Sequence, residues 1–153
     1  MVAIEVPADY GYVLLSLVST LLTGTYLGIR VGGFRKAAGI PYPFEYASYE
    51  QVHSPSTTPE RKAALLKFNA AQRGHQNFLE NHFSVAASLA ICGLSQPKLT
   101  AALGAVWSVN RVLYSVGYTN WNQNGKGRYA GVLGLPIQYG VQIWAAVVAW
   151  KMI

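Results

Sequence analysis

YGYVLLSLVSTLLTGTYLGI, residues 10–29, carries no charged side chain over twenty positions. Wound as a helix rising 1.5 Å per residue, it extends about 30 Å, the thickness of a bilayer's hydrocarbon core. Its N-terminal flank holds Glu5 and Asp9 in place of basic residues, and no small-residue cleavage pattern follows it. It therefore reads as a retained membrane helix and not as a cleavable signal. Three further apolar runs lie downstream. Residues 81–97 and 129–150 are uncharged, and 99–119 is interrupted mainly by Asn110 and Arg111. The chain is 52% hydrophobic and 12% charged, whereas an average soluble domain carries about 25% charge. The expected fold class is all-α, a four-transmembrane-helix bundle forming one integral membrane domain over residues 1–153, with helices near 9–31, 60–93, 98–119 and 131–151.

The segments between these runs carry the punctuation. Val31-Gly32-Gly33-Phe34-Arg35-Lys36 is expected to end the first helix, with glycines stopping it and cations at the interface. Residues 37–59 contain Pro41, Pro43, Pro55 and Pro59 and read as an extended loop. Thr58 is placed as an N-cap with Pro59 at the first helical position. Ser95-Gln96-Pro97 reads as a tight turn, and 120–128 as a polar, glycine-bearing loop. Arg30, Arg35, Lys36, Arg61, Lys62 and Lys67 flank the first connection, and Lys126 and Arg128 lie in the third. With four spans these connections share a side, which the positive-inside rule assigns to the cytosol. The formal charge of +6 does not point to nucleic acid, because the basic residues flank apolar segments instead of forming a long run. Lipid headgroups are the acidic partner that this pattern fits. The single Cys92 excludes an internal disulfide and reads as a packing residue.

One stretch breaks the apolar pattern: Phe68-Asn69-Ala70-Ala71-Gln72-Arg73-Gly74-His75-Gln76-Asn77-Phe78-Leu79-Glu80-Asn81. Arg73, Asn77 and Glu80 stand at i, i+4 and i+7, so a helix stacks them on one face. Ionisable groups at membrane depth are costly and mark functional sites. Arg111, Tyr114 and Tyr118 form a second stripe at i, i+3 and i+7, bordered by Asn110 and Trp121. The two stripes point to the same side of the bundle. Such a site suits a ligand with several carboxylates and an amine: Arg35, Arg73 and Arg111 for carboxylates, Glu80 for an ammonium, Asn77 and the tyrosines for peptide groups. Glutathione has that charge layout. The alternative is that these residues only hydrogen-bond helices together. His75 and His82 share a helix face but have no third ligand in sight, so no metal is expected.

Arg73-x-x-x-Asn77-x-x-Glu80 on the second long helix resembles the signature of the MAPEG family, membrane-associated proteins of eicosanoid and glutathione metabolism. Phe68-Asn69, Gln72 to Asn77, Arg111-Val112-Leu113-Tyr114 and Gly117-Tyr118 are most similar to its microsomal glutathione S-transferase 3 branch, and Tyr42-Pro43 fits the first loop. The resemblance implies a homotrimer of the endoplasmic reticulum membrane or nuclear envelope, with glutathione held between subunits near the cytosolic side. It implies Arg73, Asn77, Glu80, Tyr114 and Tyr118 as glutathione ligands, His75 as a polar contact and Arg35 as a carboxylate partner. It implies a thiolate-stabilising arginine shortly after the tyrosines, for which Arg128 is the best match and Lys126 the competitor. The activity implied is glutathione transfer to, or glutathione-dependent peroxide reduction of, hydrophobic or lipid electrophiles and hydroperoxides, with leukotriene-C4-synthase-like conjugation included. A non-catalytic lipid-binding scaffold and a small channel or transporter subunit are the other readings.

Overall fold

The computed structural model describes residues 6–120 and 125–153. Glu5, Trp121 and residues 122–124 of the polar linker lie outside them. Among the described residues the chain forms five α-helices: α1 Tyr10–Ala38, α2 Tyr49–His53, α3 Pro59–Gly93, α4 Pro97–Tyr118 and α5 Gly134–Trp150. A 3-10 helix, Lys126–Gly131, precedes α5.

The apolar runs form these helices because their prolines fall only in first turns, where no backbone N–H is needed, and the ends lie where backbone chemistry permits. Thr58 caps α3 as expected: its hydroxyl accepts the Arg61 N–H at 3.3 Å, and Pro59 occupies the first turn. The end of α1 differs from expectation. The helix passes through Gly32 and Gly33 and stops seven residues later than 31, at Ala38. A mid-helix glycine costs only about 1 kcal/mol and does not force an end. Termination comes at Gly39, whose positive φ of 56° turns the chain. The first connection, expected as wholly extended, contains α2, closed by a capping box between Ser48 and Gln51. The last long helix starts at Gly134, three residues later than expected, because 126–131 coil as 3-10 helix.

Two packed regions hold the chain together. Leu27, Phe78, Val85, Leu89, Cys92, Trp107, Val141 and Ala145 fill the bundle between α1, α3, α4 and α5. Val31, Ala38, Ile40, Ala47, Val52, Leu65, Phe68 and Ala71 form a second cluster under the first connection. The outer faces are apolar as well. Leu15, Leu22 and Ile29 on α1, Phe83 on α3, Val109 on α4, and Ile143 and Trp150 on α5 are all exposed. This is the reverse of a water-soluble helix surface, where the outward stripe is polar. By length and composition α1 can cross a membrane, with a mean hydropathy of 1.6 over its best window, only 28% of which is buried. It is the one described helix that meets this test, where the sequence led us to expect four spans. The reasons are local: α3 and α4 carry charged and polar residues at mid-length, and α5 has seventeen residues.

Polar groups stitch the helices across the bundle. Gln138 of α5 donates to Asn81 of α3 at 2.6 Å, and Gln142 to Ser84 at 3.0 Å. Thr20 of α1 bonds His82 of α3 at 2.8 Å. Arg30 of α1 reaches α4, donating to Ser115 at 2.9 Å and Thr119 at 3.0 Å. Each bond gives a polar atom a partner within the chain, as an apolar surrounding demands.

Candidate functional site

The polar run of α3 divides by face. Arg73 and Glu80, two turns apart on the outer side, form a forked ion pair, Nη1 to Oε1 at 2.7 Å and Nη2 to Oε2 at 3.3 Å. Both side chains are about half exposed, at 44% and 52%, so the pair can be reached and exchanged. Asn77 lies between them in sequence and its amide stands beside the Glu80 carboxylate. Asn69 and Gln76 serve the first connection instead. Asn69 makes two bonds to the Ala47 backbone, at 2.8 and 3.0 Å, and Gln76 accepts the Tyr46 hydroxyl. These bonds bring Tyr46 to the edge of the charged pair, where it feels Arg73 and Glu80. Burial pushes the Tyr46 phenol up, partly offset by the Arg73 charge. Tyr46 therefore stays a donor at neutral pH.

From α4, Arg111 is almost fully buried, 2% exposed. Its guanidinium donates to the Asn77 oxygen at 2.5 Å and lies 4.4 Å from the centre of the Tyr114 ring. Tyr114 and Tyr118 lie one turn apart with their rings tilted at 52°, ring centres 5.7 Å. Tyr114 stands in the field of three guanidinium groups, those of Arg111, Arg128 and Arg73. Arg128 comes from the 3-10 helix. Its guanidinium is 5.8 Å from the Tyr118 ring and 4.7 Å from Tyr129, and it donates to Gly125 O at 2.9 Å and Tyr129 Oη at 3.2 Å.

Two glycines let the 3-10 helix lie this close to α4. A Cβ on Gly117 would stand 2.0 Å from the Gly127 carbonyl oxygen, and one on Gly131 2.4 Å from that of Asn110. Backbone thus packs on backbone, and Arg128 is delivered beside the tyrosine pair. Neither contact was legible as part of the site, because glycine spacing within one helix says nothing about a close approach from another segment.

Seven of the nine residues singled out from the sequence are therefore brought to one end of the bundle: Arg73, Asn77, Glu80, Arg111, Tyr114, Tyr118 and Arg128. Arg35 and His75 lie toward the same end, but their side chains contact the first connection and α1. Arg35 is buried between the Tyr42 and Phe68 rings, at 4.4 and 4.7 Å, and donates to Phe44 O at 2.5 Å. It fastens the first connection to the end of α1. His75 faces α1, close enough that a Cβ on Gly28 would touch its ring at 3.6 Å. The sequence reading did not foresee Tyr46 in this region, since its partner Gln76 lies 30 residues away.

Chemically, the assembly offers an exchangeable cation–anion pair, an amide, two phenols and a further guanidinium on one face. That set can hold a small zwitterion and favour a negative charge beside Arg128. The MAPEG family model matches residues 13–149, nearly the whole chain and all the residues of this cluster.

Proposed function

The chain belongs to the MAPEG family of membrane proteins, and from that premise we propose that it is a membrane glutathione transferase with glutathione-dependent peroxidase activity toward hydrophobic electrophiles and lipid hydroperoxides. The family contains glutathione-dependent enzymes and also non-catalytic members. The observation that favours the enzyme is the convergence of Arg73, Asn77 and Glu80 with Tyr114, Tyr118 and Arg128 at one end of the bundle.

In this reading glutathione opens the Arg73–Glu80 pair. Its carboxylate takes Arg73 and its ammonium takes Glu80, so one ion pair is replaced by two. Asn77 and the two tyrosines hold peptide groups. Arg128 faces the sulfur. A free thiol has a pKa of about 8.5, and each unit by which a cation lowers it corresponds to about 1.4 kcal/mol of preference for the thiolate. In transfer, the thiolate displaces a leaving group or adds to an electrophilic carbon, forming a thioether. In peroxide reduction, two glutathione thiols give the disulfide while the hydroperoxide becomes an alcohol and water. Neither route requires a protein cysteine or a metal.

The membrane setting follows the same proposal. α1, α3, α4 and α5 act as four spans, which the exposed apolar residues on all four support. Twenty residues of α3, about 30 Å of helix, separate Arg73 from its end at Gly93. If Gly93 meets one bilayer face, the site meets the other, on the side carrying most of the basic residues. A half-exposed ion pair facing lipid is costly, so the proposal includes a homotrimer in which a neighbouring copy covers this face. The location we propose is the endoplasmic reticulum membrane or nuclear envelope, with the site toward the cytosol.

Heating detergent-purified protein with and without glutathione tests the assignment. At a glutathione concentration one hundred times Kd, binding to the folded form adds about 2.7 kcal/mol and raises Tm. An unchanged Tm across millimolar glutathione would favour a lipid-binding scaffold on the same fold.

A further inference from the structure

Arg111 is buried, yet among the described residues its guanidinium makes one hydrogen bond, to the Asn77 side-chain oxygen, and its Nε has no partner. A guanidinium only donates, so the end of the Asn77 amide that faces it is the oxygen. Turning the amide over would set N–H against N–H and strip a buried charge of its one acceptor, an arrangement apolar surroundings penalise heavily. The Tyr114 ring, 4.4 Å from the guanidinium, and Trp107, at 5.9 Å, hold the cation in place from its other sides. The opposite end of the amide, with two N–H donors, is directed away from Arg111, and the Glu80 carboxylate stands beside it.

We propose that Arg111 is a positioning residue that never touches the ligand: it fixes the Asn77 amide with its donors outward, so that the site reads a hydrogen-bond acceptor there, a peptide carbonyl or carboxylate oxygen close to the ammonium read by Glu80. This inference rests on the glutathione reading above and reassigns Arg111 from carboxylate partner to the support behind Asn77. It also explains why the arginine is buried, since a carboxylate partner would have to be reachable.

Glutathione titrated calorimetrically into detergent-purified wild type, Arg111→Met, Arg111→Lys and Asn77→Asp tests it. Methionine fills the space but donates nothing, so the amide is free to turn and affinity falls about tenfold. Lysine keeps an N–H donor at nearly the reach of the guanidinium, and recovers affinity to within about threefold of wild type. Asn77→Asp keeps an oxygen for Arg111 but presents no donor outward, and loses at least as much as Arg111→Met. Equal losses in Arg111→Lys and Arg111→Met would mean that a donor to the Asn77 oxygen is not what the site needs, and would overturn the proposal. If Arg111→Met does not fold, Asn77→Asp decides: undiminished affinity in that variant overturns the proposal. Absence of glutathione binding in folded wild type would instead remove the functional reading, and this inference with it.

Discussion

The two halves of α3 use similar polar residues for opposite ends. Beyond Asn81, every polar side chain named above has a partner on another helix: Asn81 with Gln138, His82 with Thr20, Ser84 with Gln142. Before it, Asn77 is likewise tied to Arg111 of α4, but among the described residues Arg73 and Glu80 make their ion pair with each other, on the exposed side. A bond that ties two helices is already spent on the fold, whereas an exposed pair within one helix is available to a ligand. Polarity inside an apolar segment is therefore an ambiguous signal. The partner decides, and it is visible only in three dimensions.

The comparison can be broken by substitutions in each half. The largest effect is expected at Arg128→Ala: turnover falls about 100-fold, the usual cost of removing one group that stabilises a developing or resident anion, while glutathione affinity changes by less than about threefold. Steady-state kinetics beside direct binding measures both, and equal losses would make Arg128 a binding residue only. Next comes Arg73→Ala, which removes a charge-assisted bond and weakens glutathione binding by about 30-fold, near 2 kcal/mol. Thermal stability stays close to wild type, because an exposed pair contributes little to folding. A large loss of Tm without loss of affinity would place Arg73 with the stitching residues.

Smaller effects sharpen the contrast. Gly117→Ala puts a methyl group against the Gly127 carbonyl, and unseating the 3-10 helix is expected to cost about 1–2 kcal/mol of stability. Turnover should fall more than glutathione affinity, since Arg128 moves and Arg73 does not. Gln138→Leu belongs to the stitching half. It should cost only about 0.6 kcal/mol, the average measured for such bonds between membrane helices, and leave glutathione affinity unaltered. A binding defect there would erase the distinction between the halves.

Much of this was legible in the sequence. Charge-free runs mark the helices because a charge is what an apolar surrounding excludes, and the i, i+4, i+7 spacing of Arg73, Asn77 and Glu80 needs only helical geometry to read. The end of α1 was not legible, because Gly32-Gly33 looks like a stop while the positive φ that makes one occurs at Gly39. Arg111 shares a stripe with Tyr114 and Tyr118, but periodicity cannot tell a guanidinium facing a cleft from one that ends on Asn77. Arg35 looks like any interfacial cation until Tyr42 and Phe68 are seen on either side of it. Tyr46 reaches the site through Gln76, thirty residues away, and no local pattern announces such a contact.

Whether Arg128 activates glutathione is read from the ultraviolet absorbance of the thiolate as purified protein is titrated with glutathione across a range of pH. Wild type should give a saturable signal whose midpoint lies below the free-thiol pKa of about 8.5, because a cation favours the anion, and in Arg128→Ala that midpoint should rise toward the free value. A folded wild type that binds glutathione with no thiolate signal below that pH would contradict the account.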